Sequence, residues 1–276
     1  MTPAPAPPYP GERLGVLVTI PVRNEVTRLV ETLGLLDEAF RRAGMDYRLS
    51  VAEDGSTDGT KELLARLPDQ FPGLIVQAEP KPMGRGRALR QLWSRIDADV
   101  YCFTDTDLAA GPESLVTTVK AVQLGHPIAV GSRYAPGAEF HRPPLRAIVS
   151  RGYNHFLRLT FHEAIRDHQC GLKAFSYDAI RCLLPLTEED SWFWDSEILI
   201  VALRNRVPVL EIPVDWTEKK VTRTHWQRLA SDIMLHGVGI LRLKARIDVV
   251  EPLGAVLSRP IAHDGRAGSD LGFTDF

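Results

Sequence analysis

The chain has 276 residues, of which 44% are apolar and 25% are charged, and its formal net charge at pH 7 is -2. This composition supports a sizeable hydrophobic core and excludes a chain that is disordered throughout, and the near-neutral charge argues against a general nucleic-acid-binding protein. The three cysteines are too few and too scattered for a disulfide framework or a CxxC metal site, so a reducing, cytoplasmic setting is expected.

The two ends of the chain differ in composition from the part between them. Residues 1–12 alternate Pro and Ala without the apolar core of a signal peptide and are expected to form a disordered lead-in. Residues 248–276 mix Gly, Asp, Pro and Arg without periodicity and are expected to be a flexible tail. Residues 13–247 are therefore assigned to a single domain. No apolar run of about 18 residues occurs, so any membrane contact is expected to be peripheral.

The first half of this domain, residues 13–112, alternates short apolar strands with helices. Leu14–Val22 is an apolar, β-rich run that predicts a buried parallel strand, and helical spacing then predicts a helix over Glu25–Ala43. The pattern continues with strands at Tyr47–Ala52, Leu74–Gln77 and Asp99–Thr104 and helices at Thr60–Leu67 and Gly84–Ile96. This alternation predicts an α/β, Rossmann-like fold with a mostly parallel central sheet flanked by helices.

The second half, residues 113–247, has a different pattern. It predicts, in chain order, a helix, a strand at Ile128–Gly131, a basic loop, a helix near Ser150–Thr160, the segment Gly171–Phe175 and a helix around Asp195–Asn205. We interpret it as an extension of the same sheet. It ends in a basic, amphipathic stretch, Trp216–Arg246, which suits either a membrane interface or an ordinary surface helix packed on the core.

Acidic or polar pairs follow three of the predicted strands, namely Asn24-Glu25, Glu53-Asp54 and Asp105/Asp107. Ligands of parallel sheets bind beyond the carboxyl ends of the strands, so these pairs predict a binding edge. In Thr104-Asp105-Thr106-Asp107, alternate residues at a strand exit can turn both carboxylates to one point. Such oxygen ligands, with a diphosphate, suit Mg²⁺ or Mn²⁺. An isolated DxD is usually only an acidic turn, and its place after the fourth strand favours the metal site.

Three further segments carry candidate binding groups. A carboxylate at Asp54 can accept hydrogen bonds from a nucleobase N–H or a ribose hydroxyl. Arg85 and Arg87 lie among glycines at a helix start, which predicts a diphosphate cradle. Asp195, in the first turn of a later helix, is a candidate base or sugar-hydroxyl acceptor. Trp194 and His168 are interpreted as core packing and as a structural or solvent-facing histidine.

Taken in order, the motifs PVRNE, EDGSTDGT, TDTDL, GSRY, DHQCGLKAF and WDSEIL resemble those of inverting glycosyltransferases of family 2, which have the GT-A fold. Within that family they are similar to the dolichyl-phosphate and other polyprenyl-phosphate glucose and mannose synthases. The resemblance covers Leu14 to Arg246. One departure is Lys81-Pro82-Met83-Gly84, where many relatives have Asn-Lys-Gly before the diphosphate helix.

The resemblance implies a role for each motif. It makes residues 13–112 a nucleotide-binding half and residues 113–247 an acceptor half. The nucleotide-sugar ligands it implies, together with the two arginines above, are Pro21, Arg23, Asn24, Glu25, Asp54, Asp105, Thr106, Asp167 and Gln169. It also implies a metal on Asp105 and Asp107 and an acceptor phosphate on Arg133 and Arg151.

The implied reaction is an inverting displacement that moves a hexose from a UDP- or GDP-sugar to a polyprenyl phosphate, with Asp107, Arg133 and Asp195 as catalytic residues. A phosphate acceptor is already largely ionised at neutral pH and needs no strong base. A saccharide hydroxyl acceptor remains the alternative and would need one, for which Asp195 is the candidate. The protein is expected at the cytoplasmic membrane face, without a nucleic-acid partner. A nucleotidyltransferase, for which an early Gly-rich signature is missing, and a non-catalytic sugar-nucleotide binder are more distant alternatives.

Overall fold

The computed structural model describes residues 13–141, 144–217 and 226–247, and for residues 144–146 and 226–235 it describes the backbone alone. The predicted lead-in at 1–12 and the predicted tail at 248–276 lie outside the described residues. Residues 218–225 of the predicted basic stretch lie outside them too. No described helix is long and apolar enough to cross a membrane.

The described strands are β1 (Leu14–Val22), β2 (Tyr47–Glu53), β3 (Ile75–Ala78), β4 (Ala98–Thr104), β5 (Ile128–Ser132), β6 (Phe140–His141), β7 (Leu172–Ser176), β8 (Val209–Pro213) and β9 (Trp216–Thr217). Seven of them form a central sheet in the order β3-β2-β1-β4-β7-β5-β8, and β6 pairs with β9 outside it. Only β7 runs antiparallel to its neighbours in this sheet. The prediction of a mostly parallel sheet is therefore confirmed.

The described helices are α1 (Leu29–Arg42), α2 (Thr60–Leu64), α3 (Arg85–Trp93), α4 (Pro112–Gln123), α5 (Pro144–Phe161), α6 (Tyr177–Leu183), α7 (Trp194–Arg204) and α8 (Trp226–Ile247). Four helix boundaries differ from prediction by three residues or more. Helix α1 starts four residues late, at Leu29, and α3 ends three residues early, at Trp93. A 3-10 turn that contains Pro68 follows α2, which ends three residues earlier than predicted. Helix α5 starts at Pro144, six residues early, because proline suits the first turn of a helix.

The helices cover both faces of the sheet with apolar side chains. On one face, Trp93 of α3 packs 5.9 Å from Trp194 of α7 and 5.8 Å from Phe175 of β7, measured between ring centroids. On the other face, α1 and α4 bury Leu33, Phe40 and further aliphatic residues against the sheet. Burial of this apolar surface stabilises the sheet and holds its strand ends in place.

The strand register brings the polar pairs to one edge, as predicted. Strands β2 and β4 lie on either side of β1 and parallel to it, with Val22 opposite Glu53 and Thr19 opposite Phe103. Their carboxyl ends therefore share an edge. Because β7 runs the other way, with Leu172 opposite Thr104, the start of β7 reaches the same edge.

Candidate active site

The centre of this edge is a salt bridge that joins three elements. Arg85, the first residue of α3, donates from Nη2 to Asp105 Oδ1 at 2.8 Å and from Nη1 to Asp195 Oδ2. Asp105 directly follows β4, and Asp195 lies in the first turn of α7. The guanidinium is only 6% exposed. Three predicted site residues, far apart in the chain, are thus in direct contact.

A second buried cation, Lys173 of β7, lies beside this bridge. Its Nζ donates to the Cys170 carbonyl at 2.7 Å and lies 3.8 Å from Asp195 Oδ2. Because the side chain is fully buried, its charge acts on the carboxylates with little screening by water. Lys173 was not among the site residues predicted from the sequence. Its signal was a lone lysine within the apolar strand that directly follows DHQCG.

The two carboxylates of the DxD segment have different surroundings. Burial raises the pKa of Asp105; Arg85 lowers it, and Asp195 and Asp107 raise it further, to about 6. Among the described residues, Asp107 has one hydrogen-bond donor, the Ala109 N–H, 3.2 Å from Oδ1. Asp107 is half-buried and keeps oxygen lone pairs that can bind a metal, and burial destabilises the negative charge of the neighbouring Asp105. A divalent cation that prefers oxygen ligands would stabilise both carboxylates. The donor set thus suits the predicted Mg²⁺ or Mn²⁺.

The loops after β1 and β2 bind each other. Asn24, with a φ of +57°, accepts from the Thr57 N–H at 2.8 Å, and its own N–H donates to Ser56 Oγ at 2.9 Å. The Glu25 N–H donates to Thr60 Oγ1 at 3.1 Å. Around this junction, Pro21 is half-buried at the end of β1 and Arg23 is exposed. These predicted nucleotide ligands therefore lie together at the outer part of the edge.

Asp54 is engaged within the protein. Its Oδ1 accepts from the Met83 N–H at 2.6 Å and from the Gly84 N–H at 2.9 Å. Gly55, with a φ of +66°, allows this approach, because a Cβ there would lie 2.2 Å from the Pro82 nitrogen. The predicted nucleotide ligand thus also anchors the loop before α3. Thr106, also a predicted ligand, is buried, and its carbonyl accepts from Thr32 Oγ1 at 2.6 Å.

Arg133 and Asp167 form a buried bidentate pair. Arg133 donates from Nε and Nη2 to the two oxygens of Asp167, each at 2.7 Å, and its backbone N–H adds a third bond at 3.0 Å. Burial alone would raise the pKa of Asp167, but Arg133 outweighs it and lowers that pKa below its ordinary value. Neither residue presents a free charge at the edge, although both were predicted to bind substrate.

The other predicted residues of the second half are more accessible. Arg151 of α5 is exposed, and its guanidinium lies 5.6 Å from the ring centroid of Tyr134. Gln169 contacts α8, with Nε2 3.3 Å from Nε2 of His236.

In the first half, Arg87 is partly exposed, and its Nη1 lies 4.0 Å from Asp190 Oδ2.

Two predicted structural residues are buried. Trp194 is fully buried in the aromatic core, as interpreted from the sequence. His168 is also fully buried, and its Nδ1 lies 3.1 Å from Asn154 Oδ1. It is therefore a structural histidine and does not face solvent.

Paired carboxylates lie at a central strand exit, beside a basic helix start and at one edge of a mostly parallel sheet, which is the arrangement expected of a glycosyltransferase of the GT-A type. Residues 17–184 match the family model described as Glycosyl transferase family 2. The chain belongs to this family and is a glycosyltransferase.

Curated relatives extend the likeness beyond the matched segment. The chain is 38% identical over 222 residues to the glycosyltransferase AglD of Haloferax volcanii. This match covers 80% of this chain but only 34% of that protein. It is 31% identical to the dolichyl-phosphate beta-glucosyltransferase ALG5C of Trichomonas vaginalis, over 72% of this chain and 63% of that protein. It is 28% identical to the dolichyl-phosphate beta-glucosyltransferase of Saccharomyces cerevisiae, over 75% of this chain and 68% of that protein.

Solved structures confirm the GT-A fold. Mannosyl-3-phosphoglycerate synthase from Rubrobacter xylanophilus matches with a TM-score of 0.64 at 15% identity, covering 88% of this chain and 78% of that one. Glucosyl-3-phosphoglycerate synthase from Mycobacterium tuberculosis, in complex with Mn²⁺, UDP and glucosyl-3-phosphoglycerate, matches with a TM-score of 0.63 at 17% identity. That match covers 84% of this chain and 80% of the other.

Proposed function

We propose that this glycosyltransferase moves a hexose, glucose or mannose, from a UDP- or GDP-sugar to a polyprenyl phosphate, with inversion at the anomeric carbon. The observation that carries the proposal is the bridge from Arg85 to Asp105 and Asp195 at the strand edge. The dolichyl-phosphate beta-glucosyltransferases among the relatives support the lipid phosphate acceptor. The Mn²⁺ and UDP bound to a structural neighbour support the donor and the metal.

The donor side lies at the ends of β1, β2 and β4. A Mg²⁺ or Mn²⁺ ion on Asp105 and Asp107 would supply positive charge that stabilises the departing diphosphate. Arg87 lies in the first turn of α3, and the N-terminal end of a helix also favours an anion. The nucleoside would lie against the joined loops that carry Asn24 and Asp54. A hydrogen bond from the Thr57 N–H to Asn24 and one from the Met83 N–H to Asp54 hold these loops in place.

The acceptor side lies around Arg151. Its guanidinium is exposed near Tyr134, and it is the cation we assign to the acceptor phosphate. Tyr134 Oη and Trp216 Nε1 are buried and, in the described part of the chain, have no hydrogen-bond partner, so both can donate to a phosphate. Arg133, between these two rings, holds the loop through Asp167. It is therefore assigned a positioning role.

Asp195 is assigned to the donor sugar. Its Oδ2 is held by Arg85 and lies near Lys173, whereas its Oδ1 is buried and, among the described residues, has no hydrogen-bond partner. That oxygen is available to a sugar hydroxyl. An ionised phosphate acceptor attacks without losing a proton, so this reaction does not require Asp195 as a base.

A surface on helices α5 and α8 supports a membrane-bound acceptor. Tyr153 of α5 lies 5.2 Å from His236 of α8 between ring centroids, and Lys244 Nζ donates to the Thr160 carbonyl at 3.4 Å, so the two helices lie side by side. They expose five large apolar side chains, Ile148, Phe156, Leu159, Val238 and Leu241. We propose that these side chains form one surface, which we call the helix-pair surface.

The same two helices also carry exposed cations. Arg151 on α5 and Arg242 and Lys244 on α8 are exposed. Exposed apolar groups together with exposed cations suit the interface of an anionic lipid bilayer. We therefore retain a peripheral position at the cytoplasmic membrane face as part of the proposal.

A product assay tests the proposal. The purified protein is incubated with Mg²⁺ or Mn²⁺ and a panel of UDP- and GDP-sugars, with or without a short polyprenyl phosphate, and lipid-linked sugar is measured. We expect product only with both metal and lipid phosphate, and an Asp107→Asn rate at least about 100-fold lower. Asp99→Asn, at the opposite end of β4, is the matched control and should keep the wild-type rate.

The saccharide acceptor is the second candidate, and the free Oδ1 of Asp195 is the observation that favours it. A hydroxyl must lose its proton during attack, and this oxygen lies in the site where a base is needed. Metal-dependent donor hydrolysis without lipid product would overturn the lipid acceptor and favour this alternative. Absence of both donor binding and turnover would contradict both candidates.

A further inference from the structure

Glu197, in the first turn of α7, joins the end of α8 to the loop before α7. Its carboxylate is 1% exposed and accepts from the N–H groups of Glu188 at 3.1 Å and Glu189 at 2.9 Å. Arg246 of α8 donates from Nη2 to Glu197 Oε1, and its Nη1 lies 3.0 Å from Glu188 Oε2. One buried carboxylate thus links α8 to two backbone groups of the loop.

This loop, residues 187–193, forms a wall beside the start of α3. The Asp190 carbonyl accepts from the Arg87 N–H at 3.2 Å, and the Asp190 carboxylate binds Arg90. The contact is close, since a Cβ on Gly84 would lie 2.2 Å from the Asp190 carbonyl oxygen. Trp192 covers Arg85, with its ring centroid 4.5 Å from the guanidinium carbon. The loop therefore touches the residues that we assign to the diphosphate.

We infer that Glu197 and Arg246 are positioning residues that hold the 187–193 loop against α3 and thereby set the affinity for the nucleotide diphosphate. The inference rests on the proposed function, because it assigns the start of α3 to the donor. In the structure, neither side chain contacts Arg85, Asp105 or Asp107. They act through the loop, which they bind at Glu188 and Glu189.

The charges stabilise the link. Burial raises the pKa of Glu197, and the two loop N–H groups and Arg246 act against that rise. Removing Arg246 would leave a buried carboxylate without its cation, and such groups regain solvation by moving toward water. Any such movement of Glu197 would release Glu188 and Glu189, and with them the contacts made by Asp190 and Trp192.

Nucleotide binding by Arg246→Met tests the inference. The dissociation constants of UDP and GDP are measured by calorimetry with Mn²⁺, and thermal unfolding is recorded in parallel. We expect nucleotide binding to weaken by at least about fivefold. Arg204→Met is the matched control, because Arg204 also joins α7 to α8, by donating to the Ile247 carbonyl at 3.4 Å, without touching the loop. Its nucleotide affinity should equal that of the wild type.

Two milder variants guard against a folding defect. Arg246→Lys keeps the charge but not the two-pronged contact and should recover part of the affinity. Glu188→Gln weakens the second contact of Arg246 at an exposed position and should weaken binding in the same direction. A lower melting temperature with unchanged nucleotide affinity in these variants would overturn the inference alone. If the wild type binds neither nucleotide, the proposed function and the inference both fall.

Discussion

Gly171 lies directly against the carboxylate of Asp105. A Cβ at residue 171 would lie 1.8 Å from Asp105 Oδ2 and 2.4 Å from its Cγ. The antiparallel pairing of β4 with β7, which sets Thr104 opposite Leu172, brings the two residues together. No side chain larger than hydrogen fits at residue 171 unless Asp105 moves.

Gly171→Ala should therefore impair metal-dependent nucleotide binding. A displaced Asp105 carries a predicted metal ligand out of position, which should weaken nucleotide binding with Mn²⁺ by about 10-fold to 100-fold. Calorimetry with UDP or GDP and Mn²⁺ measures the loss. Gly34→Ala in α1 is the control, since a Cβ there meets no atom within 4 Å and alanine favours the helix. Equal affinities for the two variants would contradict the prediction.

The raised pKa of Asp105, about 6, predicts that metal binding depends on pH. A cation competes with the proton on this carboxyl, so below pH 6 the affinity for Mn²⁺ should fall by up to about tenfold per pH unit. Above pH 6 the carboxyl is ionised and the affinity should level off. Mn²⁺ titrations with nucleotide at pH 5, 6 and 7.5 measure the effect.

The nucleotide phosphate also titrates in this range, so a control is needed for the pH experiment. Asp105→Asn retains the phosphate titration and lacks the carboxyl, and the difference between its profile and that of the wild type isolates Asp105. Identical slopes for the two proteins would show that Asp105 is not the titrating group.

The sequence was sufficient to predict the strand edge that gathers the site. Leu14–Val22 and Asp99–Thr104 are short, β-rich apolar runs, which favours buried strands. Parallel strands place their C-terminal loops at the same edge of the sheet. Asn24, Asp54 and Asp105 could thus be placed together from local pattern alone. The hydrogen-bond partners of these residues could not be predicted in the same way. Asp54, for example, binds the loop of residues 81–84, and its partner Met83 lies 29 positions further along the chain.

Long-range pairing explains what the sequence could not reveal. The insertion of β7 between β4 and β5 brings Lys173 beside Asp195, and no local periodicity encodes that strand order. The pairing of Arg133 with Asp167 is likewise set by tertiary packing, so two residues predicted to meet substrate are bound to each other. Strand β8 was missed because its side chains are only partly buried and give a weak pattern.

Arg133 and Arg151 should behave differently when replaced. Arg133→Met leaves the buried Asp167 carboxylate without its partner, which should lower the free energy of unfolding by about 3–5 kcal/mol. Arg151→Met removes an exposed charge and should change the free energy of unfolding by less than about 0.5 kcal/mol. It should raise the KM for polyprenyl phosphate. Urea unfolding and acceptor kinetics separate the two effects. A stable Arg133→Met protein that has lost only acceptor affinity would return Arg133 to direct phosphate binding.

The helix-pair surface predicts binding to anionic vesicles that depends on apolar contact. Leu241→Glu places a negative charge on α8 at a side chain that is 70% exposed, so the fold should be unaffected. Vesicles with acidic lipids should bind this variant at least about tenfold more weakly, because apolar burial is lost and charge repulsion is added. Leu124→Glu makes the same change at the end of α4, at a side chain that is 76% exposed, and should bind like the wild type. Co-sedimentation with vesicles measures both, and equal binding would mean that this surface does not meet the membrane.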